Sequence, residues 1–247
     1  MEIQDNKSLW DGEYHWNDRG DEWSRAWGGP AMQWYGVLLP RIYRFFPAKR
    51  VLELAPGFGR WTQYLKGMCE EISIVDLSSE GIEACRNRFS TDTNIHYYVN
   101  DGKSLEMIES ASIDFIFSFD SLVHANPLVM RTYIEQFDRI LTDNGVALLH
   151  HSNLKNHFDR INGKEALHLR DPEVSAELVE EMIADNKLQC ISQELINWGG
   201  ISTIDCITTL TKKHSRFSRE NRKLENSEFM SCADLLKEIS ALYCENY

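Results

Sequence analysis

Val51-Leu-Glu-Leu-Ala-Pro-Gly-Phe-Gly-Arg-Trp-Thr-Gln-Tyr64 reads as a buried strand, a tight glycine turn and the start of a helix. Ile72-Ser-Ile-Val-Asp76 follows as a second short apolar strand ending in a carboxylate. Strand, glycine loop, helix, strand and acid together are the layout of a nucleoside-binding βαβ unit. Gly57 and Gly59 lack a Cβ, so a ligand can approach the backbone there, and either residue can take positive φ. Asp76 stands at the strand end, where a carboxylate can accept two hydrogen bonds from a ribose diol.

Working outward, Ile95-His-Tyr-Tyr-Val99 reads as a third strand, followed directly by Asn100-Asp-Gly102. Ser112 to Asp120 reads as a fourth, and Val129 to Leu141 has helical spacing with Tyr133, Ile134, Phe137, Ile140 and Leu141 on one side. Asp143-Asn-Gly145 reads as a turn before a fifth strand, Val146-Ala-Leu-Leu-His150. Residues 152–172 read as a loop carrying His157, Arg160, His168 and Arg170, and residues 173–186 as a helix. Leu188–Trp198 and Ile201–Thr211 read as two strands joined by a hairpin at Gly199-Gly200. Strands alternating with helices imply a parallel sheet with right-handed crossovers. Glu53, Asp76, Asp101, Asp120, His150 and His151 all fall at the carboxyl ends of strands, where ligands bind in such sheets.

The dinucleotide fingerprint needs G-x-G-x-x-G. This chain has Glu53-x-Ala55-x-Gly57-x-Gly59 and no glycine at 60, 61 or 62, which disfavours a dehydrogenase. Glu53 would repel a phosphate and welcome a cationic amino group. The stretch resembles the S-adenosylmethionine-binding motif of class I methyltransferases, E/D-x-G-x-G-x-G, with Ala55 at the first glycine position. The resemblance covers about residues 50–212. It implies an α/β, Rossmann-like sheet of seven mostly parallel strands with a terminal antiparallel hairpin and helices on both faces. It also implies a cofactor site made of Glu53, Ala55, Gly57, Gly59, Asp76, Asp101 and Gly102, with Asp101 accepting from the adenine amino group. Asp114 matches the acid that commonly opens the fourth strand in this family.

Methyl transfer from a sulfonium is an in-line displacement, often assisted by a base. His124, in Asp120-Ser-Leu-Val-His124 after the fourth strand, is the candidate base, and Asp120 its partner or an acceptor contact. His150 and His151 end the fifth strand as substrate-side candidates, and alternation lets only one of them face the site. A divalent ion held by Asp120 and these histidines ranks below a histidine base alone, because only one carboxylate is at hand.

Residues 1–49 hold five of the seven tryptophans, at 10, 16, 23, 27 and 34, interleaved with charged residues. Trp23 and Trp27 are candidate substrate contacts in a ring-stacking lid over the acceptor. Pro30 opens a helical stretch to about Phe46. Three blocks follow: a Trp-rich cap and helix over 1–49, a methyltransferase core over 50–212, and a linker with a C-terminal helix over 213–247. In that helix Leu235, Leu236, Ile239, Leu242 and Tyr243 share a face that would dock on the core or on a second copy.

The combination of the Asp21–Pro30 segment, Phe117-Ser-Phe-Asp-Ser-Leu-Val-His124 and Leu149-His-His-Ser-Asn153 is similar to bacterial methyltransferases of surface-polysaccharide synthesis. That similarity implies a sugar hydroxyl on a glycan or activated sugar as acceptor. A small-metabolite O- or N-methyltransferase and a non-catalytic cofactor-binding scaffold are the alternatives. The net charge of −12 argues against a nucleic-acid partner. The six cysteines form no C-x-x-C pair, the first nine residues are polar, and no apolar run approaches a membrane span. These features predict a reduced, cytoplasmic protein.

Overall fold

The computed structural model describes residues 1–157, 169–198 and 201–243. Its centre is one sheet of eight strands in the order β3-β2-β1-β4-β5-β7-β6-β8. The strands are β1 Ala48–Leu54, β2 Cys69–Asp76, β3 Ile95–Val99, β4 Ile113–Ser118, β5 Leu141–Ser152, β6 Leu188–Trp198, β7 Ile201–Lys212 and β8 Arg222–Asn226. β1 through β5 pair in parallel, and β7 runs antiparallel between β5 and β6. Gly199 and Gly200, the expected hairpin residues, lie outside the described residues, as do Arg160 and His168.

Alternation along β1 sorts the two faces of the sheet. Leu52 and Leu54 pack with Ile116, Ile134 and Phe137 beneath α6 (Pro127–Ile140) and α7 (Ala176–Asp185). Val51 packs with Phe115 and Phe117 beneath α5 (Ser79–Arg88) and the irregular helical run of residues 30–45, which includes α2 (Pro30–Gln33) and α3 (Leu39–Ile42); the short α4 (Thr62–Leu65) follows the β1 turn. Asn126, Ser175 and Ser78 cap α6, α7 and α5 by accepting from Val129, Leu178 and Gly81 N–H groups.

Three expectations change. The sheet has eight strands rather than seven. The eighth, Arg222-Lys-Leu-Glu-Asn226, was expected to be linker because it has no apolar alternation. It is a charged edge strand parallel to β6, with Leu224 exposed, and Lys223 pairs with Glu180 at 2.8 Å. Asp143-Asn-Gly145 is not a turn but part of β5, where the pairing with β4 shifts register between Ile113 and Phe115. A Cβ at Gly145 would lie 2.7 Å from the Ile113 carbonyl, so only glycine fits the shift. The C-terminal helix α8 (Phe229–Tyr243) docks through Phe229, Ala233 and Leu236, whereas Leu235, Ile239, Leu242 and Tyr243 of the predicted face are exposed.

Residues 1–29 lie over the carboxyl end of the sheet. α1 (Ile3–Ser8) runs into a π-helical turn, Leu9–Glu13, and a 3-10 segment, Asp21–Trp27, follows. Asp11 holds this lid to the start of α5, accepting from Ser78 Oγ at 2.8 Å and Glu80 N–H at 3.0 Å. Asp21 pairs with Arg88 at 3.2 Å. Trp27, 1% exposed, packs against both Trp198 and Phe229 with ring centroids at 5.2 and 6.1 Å. Burying a ring of that size removes about 150–250 Å² of surface from water, worth roughly 4–6 kcal/mol before chain entropy.

Candidate active site

A cavity of about 410 Å³ lies between this lid and the carboxyl ends of β1, β2 and β4. That volume is within the roughly 300–1,000 Å³ of small-molecule sites. One end is the β1 turn and the tip of β2. Ala55 and Gly57 take φ of +54° and +56°, which turns the chain sharply out of the strand. Asp76 accepts from Gly57 N–H at 3.1 Å and Ser78 N–H at 2.9 Å. Burial pushes its carboxyl up to about 6, against the pull of those backbone donors. Gly102, with φ +83°, closes this end from the loop after β3. Ser121, beyond β4, donates to the Ala55 carbonyl at 2.8 Å and ties the two loops together.

The other end is built by the lid, the loop after β4, Arg170, Trp198 and Met230. Asp120 takes φ +64° and pairs with Arg60 at 2.8 Å. His124 Nδ1 lies 3.1 Å from the Leu169 carbonyl, which can only accept. Nδ1 therefore carries the proton and Nε2 the lone pair. Burial holds the His124 imidazole down to about 4, outweighing the Leu169 carbonyl, so the ring is neutral at pH 7. Trp10 stands 5.4 Å from His124, and Trp23 lies 6.5 Å from Trp10.

Ala55, Gly57, Asp76, Gly102, Asp120, His124, Trp23 and Trp27 therefore share one cavity. Five other candidates do not line it. Glu53 points to the Val51 face of β1, where its Oε2 accepts from Thr62 Oγ1 at 2.6 Å and its Oε1 has no partner among the described residues. Desolvation raises it to about 8, with Asp76 adding to the rise. Gly59 faces α5, where a Cβ would meet Phe89 at 2.5 Å. Asp101 folds back to accept from Lys103 and Ser104 N–H groups. His150 and His151 are fully buried on opposite faces of β5, against Phe119 and Thr208.

The sequence reading did not single out Arg60, Trp16, Ser121, Arg170, Trp198 or Met230 as site residues. Arg60 directly follows Gly59, so its proximity was available. Met230 carries no local signal and reaches the cavity only through the docking of α8.

Two observations test the fit of a nucleoside cofactor. The Trp16 indole N–H is buried at the cavity wall without a partner among the described residues. A Cβ at Gly57 would lie 3.0 Å from the Trp16 ring, so the bare backbone is what leaves this end open. Donor, carboxylate and open backbone fit S-adenosylmethionine, which Ala55, Gly57, Asp76 and Gly102 would hold. Among the described residues no group of three or more His, Cys, Asp or Glu side chains is placed to hold a metal ion, and no helix is long and apolar enough to cross a membrane. The described cysteines are free thiols.

Residues 51–145 match the protein-family model described as a methyltransferase domain. The PH0226 protein of Pyrococcus horikoshii OT3 superposes with a TM-score of 0.61 at 21% identity, covering 79% of this chain and 94% of that one. An S-adenosylmethionine-dependent methyltransferase of Clostridium acetobutylicum gives a TM-score of 0.57 at 13% identity, covering 73% and 91%. Squalestatin hexaketide synthase of a Phoma species is 33% identical over 98 residues, 35% of this chain, and the match spans 4% of that protein's length. The strand order and the cavity agree with the family match over residues 51–145: the fold is that of S-adenosylmethionine-dependent methyltransferases, which are enzymes that take S-adenosylmethionine as cofactor.

Proposed function

We propose that the protein transfers a methyl group from S-adenosylmethionine to a hydroxyl of a small acceptor, by preference a sugar at a glycan end or on an activated carrier. One observation carries this reading. The Asp76 end of the cavity continues without a break to Asp120 and His124, under a roof of Trp10, Trp23 and Trp27. Bound S-adenosylmethionine would supply a sulfonium methyl. Asp76 would take the ribose hydroxyls, and the indole faces offer stacking surface to a sugar ring. Arg60 and Asp120 present a donor and an acceptor to hydroxyls, and His124 Nε2 presents a lone pair to the proton that leaves.

The weak basicity of His124 favours a second reading. A base near 4 is deprotonated at neutral pH but drives proton transfer poorly. An amine acceptor would need no such base, which keeps a small-metabolite N-methyltransferase in view. His124→Ala separates the two. With a hydroxyl acceptor, turnover falls about 10²–10⁴-fold while S-adenosylmethionine affinity holds. With an amine, turnover barely moves. Calorimetric titration of the folded protein with S-adenosylmethionine comes first, and absence of binding would overturn both readings. Self-association through the exposed Leu235, Ile239 and Leu242 face belongs to the same proposal, and light scattering of Leu242→Glu beside the parent tests it.

A further inference from the structure

Behind Asp120 lies a buried polar chain to which the methyl-transfer reading gives no role. Asp120 is a non-glycine residue at φ +64°, a left-handed conformation that is strained for an L-residue. Its N–H points inward to His150 Nδ1 at 3.0 Å. An N–H can only donate, so Nδ1 carries the lone pair and Nε2 the proton. Nε2–H then donates to Asp205 Oδ2 at 3.1 Å. Asp205 is fully buried and accepts from Arg170 through Nε and Nη2, both at 2.6 Å. Burial alone would raise this carboxyl. The Arg170 charge overrides it and holds Asp205 down to about 2, so it stays an anion. The imidazole also stacks on Phe119, the residue before Asp120, with centroids at 4.5 Å and planes at 29°.

We propose that His150 is a positioning residue for the acceptor site: it holds the Asp120 backbone in its left-handed conformation, and Asp205 and Arg170 fix its tautomer from behind. Asp120 is thereby held at both ends, by His150 at the backbone and by Arg60 at the carboxylate. No other side chain meets all the demands of this place. It must offer an acceptor toward residue 120, a donor toward residue 205 and a flat face toward Phe119. The task matters because misplacing a reacting group by about 1 Å costs on the order of 10² in rate. That Asp120 faces an acceptor rests on the function proposed above; the hydrogen-bonded chain does not.

Two substitutions divide the duties of the ring. His150→Asn leaves an oxygen near the place of Nδ1, so Asp120 N–H keeps an acceptor while Asp205 loses its donor. His150→Gln reaches Asp205 but leaves Asp120 N–H unpaired. The test uses ¹⁵N NMR of the full chain at pH 7, without acceptor. In the parent, His150 shows a bare Nδ1 and a protonated Nε2, and the Asp120 amide resonates far downfield and exchanges slowly. Asn at 150 retains that slow exchange. Gln speeds it by roughly tenfold, the scale of one lost hydrogen bond. S-adenosylmethionine affinity, at the Asp76 end, stays within about twofold in both variants, as for sites that share no partner.

A protonated Nδ1 in the parent overturns the proposal, and so does faster Asp120 exchange in the Asn variant than in the Gln variant. Should either variant fail to fold, the tautomer of the parent decides alone. None of these readouts needs methyl transfer, so the chain and the methyltransferase reading fail separately. Once an acceptor is in hand, turnover falls further in the Gln variant than in the Asn variant.

Discussion

On the proposed reading the Asp76 end of the cavity takes the cofactor and the Asp120 end the acceptor; the first is assembled mainly from near neighbours in sequence, the second from residues scattered between Trp10 and Met230. Ala55, Gly57 and Asp76 come from one βαβ unit, and their contacts run through backbone N–H groups. Asp120 is held instead by the side chains of Arg60, His150, Asp205 and Arg170, which come from four segments distant in sequence. Backbone geometry tolerates change in most side chains. A chain of buried charges tolerates almost none. The two ends should therefore break differently.

The largest effect belongs to the acceptor end. Asp205→Ala leaves Arg170 buried without its anion, and removing one member of a buried pair costs about 3–5 kcal/mol. Urea denaturation should show the unfolding free energy falling by that amount, as a lower midpoint at unchanged slope, while the fraction still folded binds S-adenosylmethionine as the parent does. Cofactor binding lost in proportion to stability would mean the two ends are one unit.

Glu53 brings the next effect, beneath the cofactor end. The folded state holds its proton up to about 8, against 4.5 for an unperturbed glutamate. Between those values the unfolded chain releases a proton that the folded chain keeps, so stability falls as pH rises. Glu53→Gln should remove roughly 3 kcal/mol of that fall between pH 5 and 7.5. The slope from Asp76, whose folded value is about 6, remains. A parent and variant with parallel profiles would show Glu53 ionised in the fold.

These contrasts also explain what was legible in the sequence. The βαβ unit was readable because apolar runs, two glycines and Asp76 stand within a few residues of one another. That Trp23, Trp27, Asp120 and His124 line one cavity was legible because the lid is rich in tryptophan and strand ends collect ligands. β8 was missed because an exposed edge strand needs no apolar alternation, and Met230 because only tertiary docking brings it to the cavity. Glu53 and Asp101 were placed by motif, but the alternation of β1 and the local turn after β3 direct their side chains elsewhere. His150 lay on the correct strand end, yet its partner Asp205 is fifty-five residues away, and no local pattern announces that pairing.

At the cofactor end, Asp76→Ala removes an acceptor from Gly57 and Ser78 and from any ribose bound there. Hydrogen bonds to a charged group are worth about 1.5–3 kcal/mol, so S-adenosylmethionine should bind roughly 10–150-fold more weakly. Calorimetry decides it, and an unchanged dissociation constant takes Asp76 out of the site.

The smallest effect tests whether the division into two ends holds at all. Gly57 belongs to the cofactor end by sequence, yet a Cβ there would meet Trp16 of the lid at 3.0 Å. Its φ of +56° costs an L-residue roughly 1–2 kcal/mol, and the Trp16 ring must also give way by a few tenths of an ångström. Trp16 stacks on Phe58 at 4.5 Å, so displacing it lifts the lid rather than closing the loop. Gly57→Ala should thus weaken cofactor binding by about tenfold, the equivalent of ~1.4 kcal/mol. It should also shift tryptophan fluorescence to the red as the lid admits water. Weakened binding with unshifted fluorescence would confine Gly57 to the cofactor end. A red shift would make this glycine the point where a backbone-built end and a side-chain-built end meet, and would explain why one missing Cβ serves both.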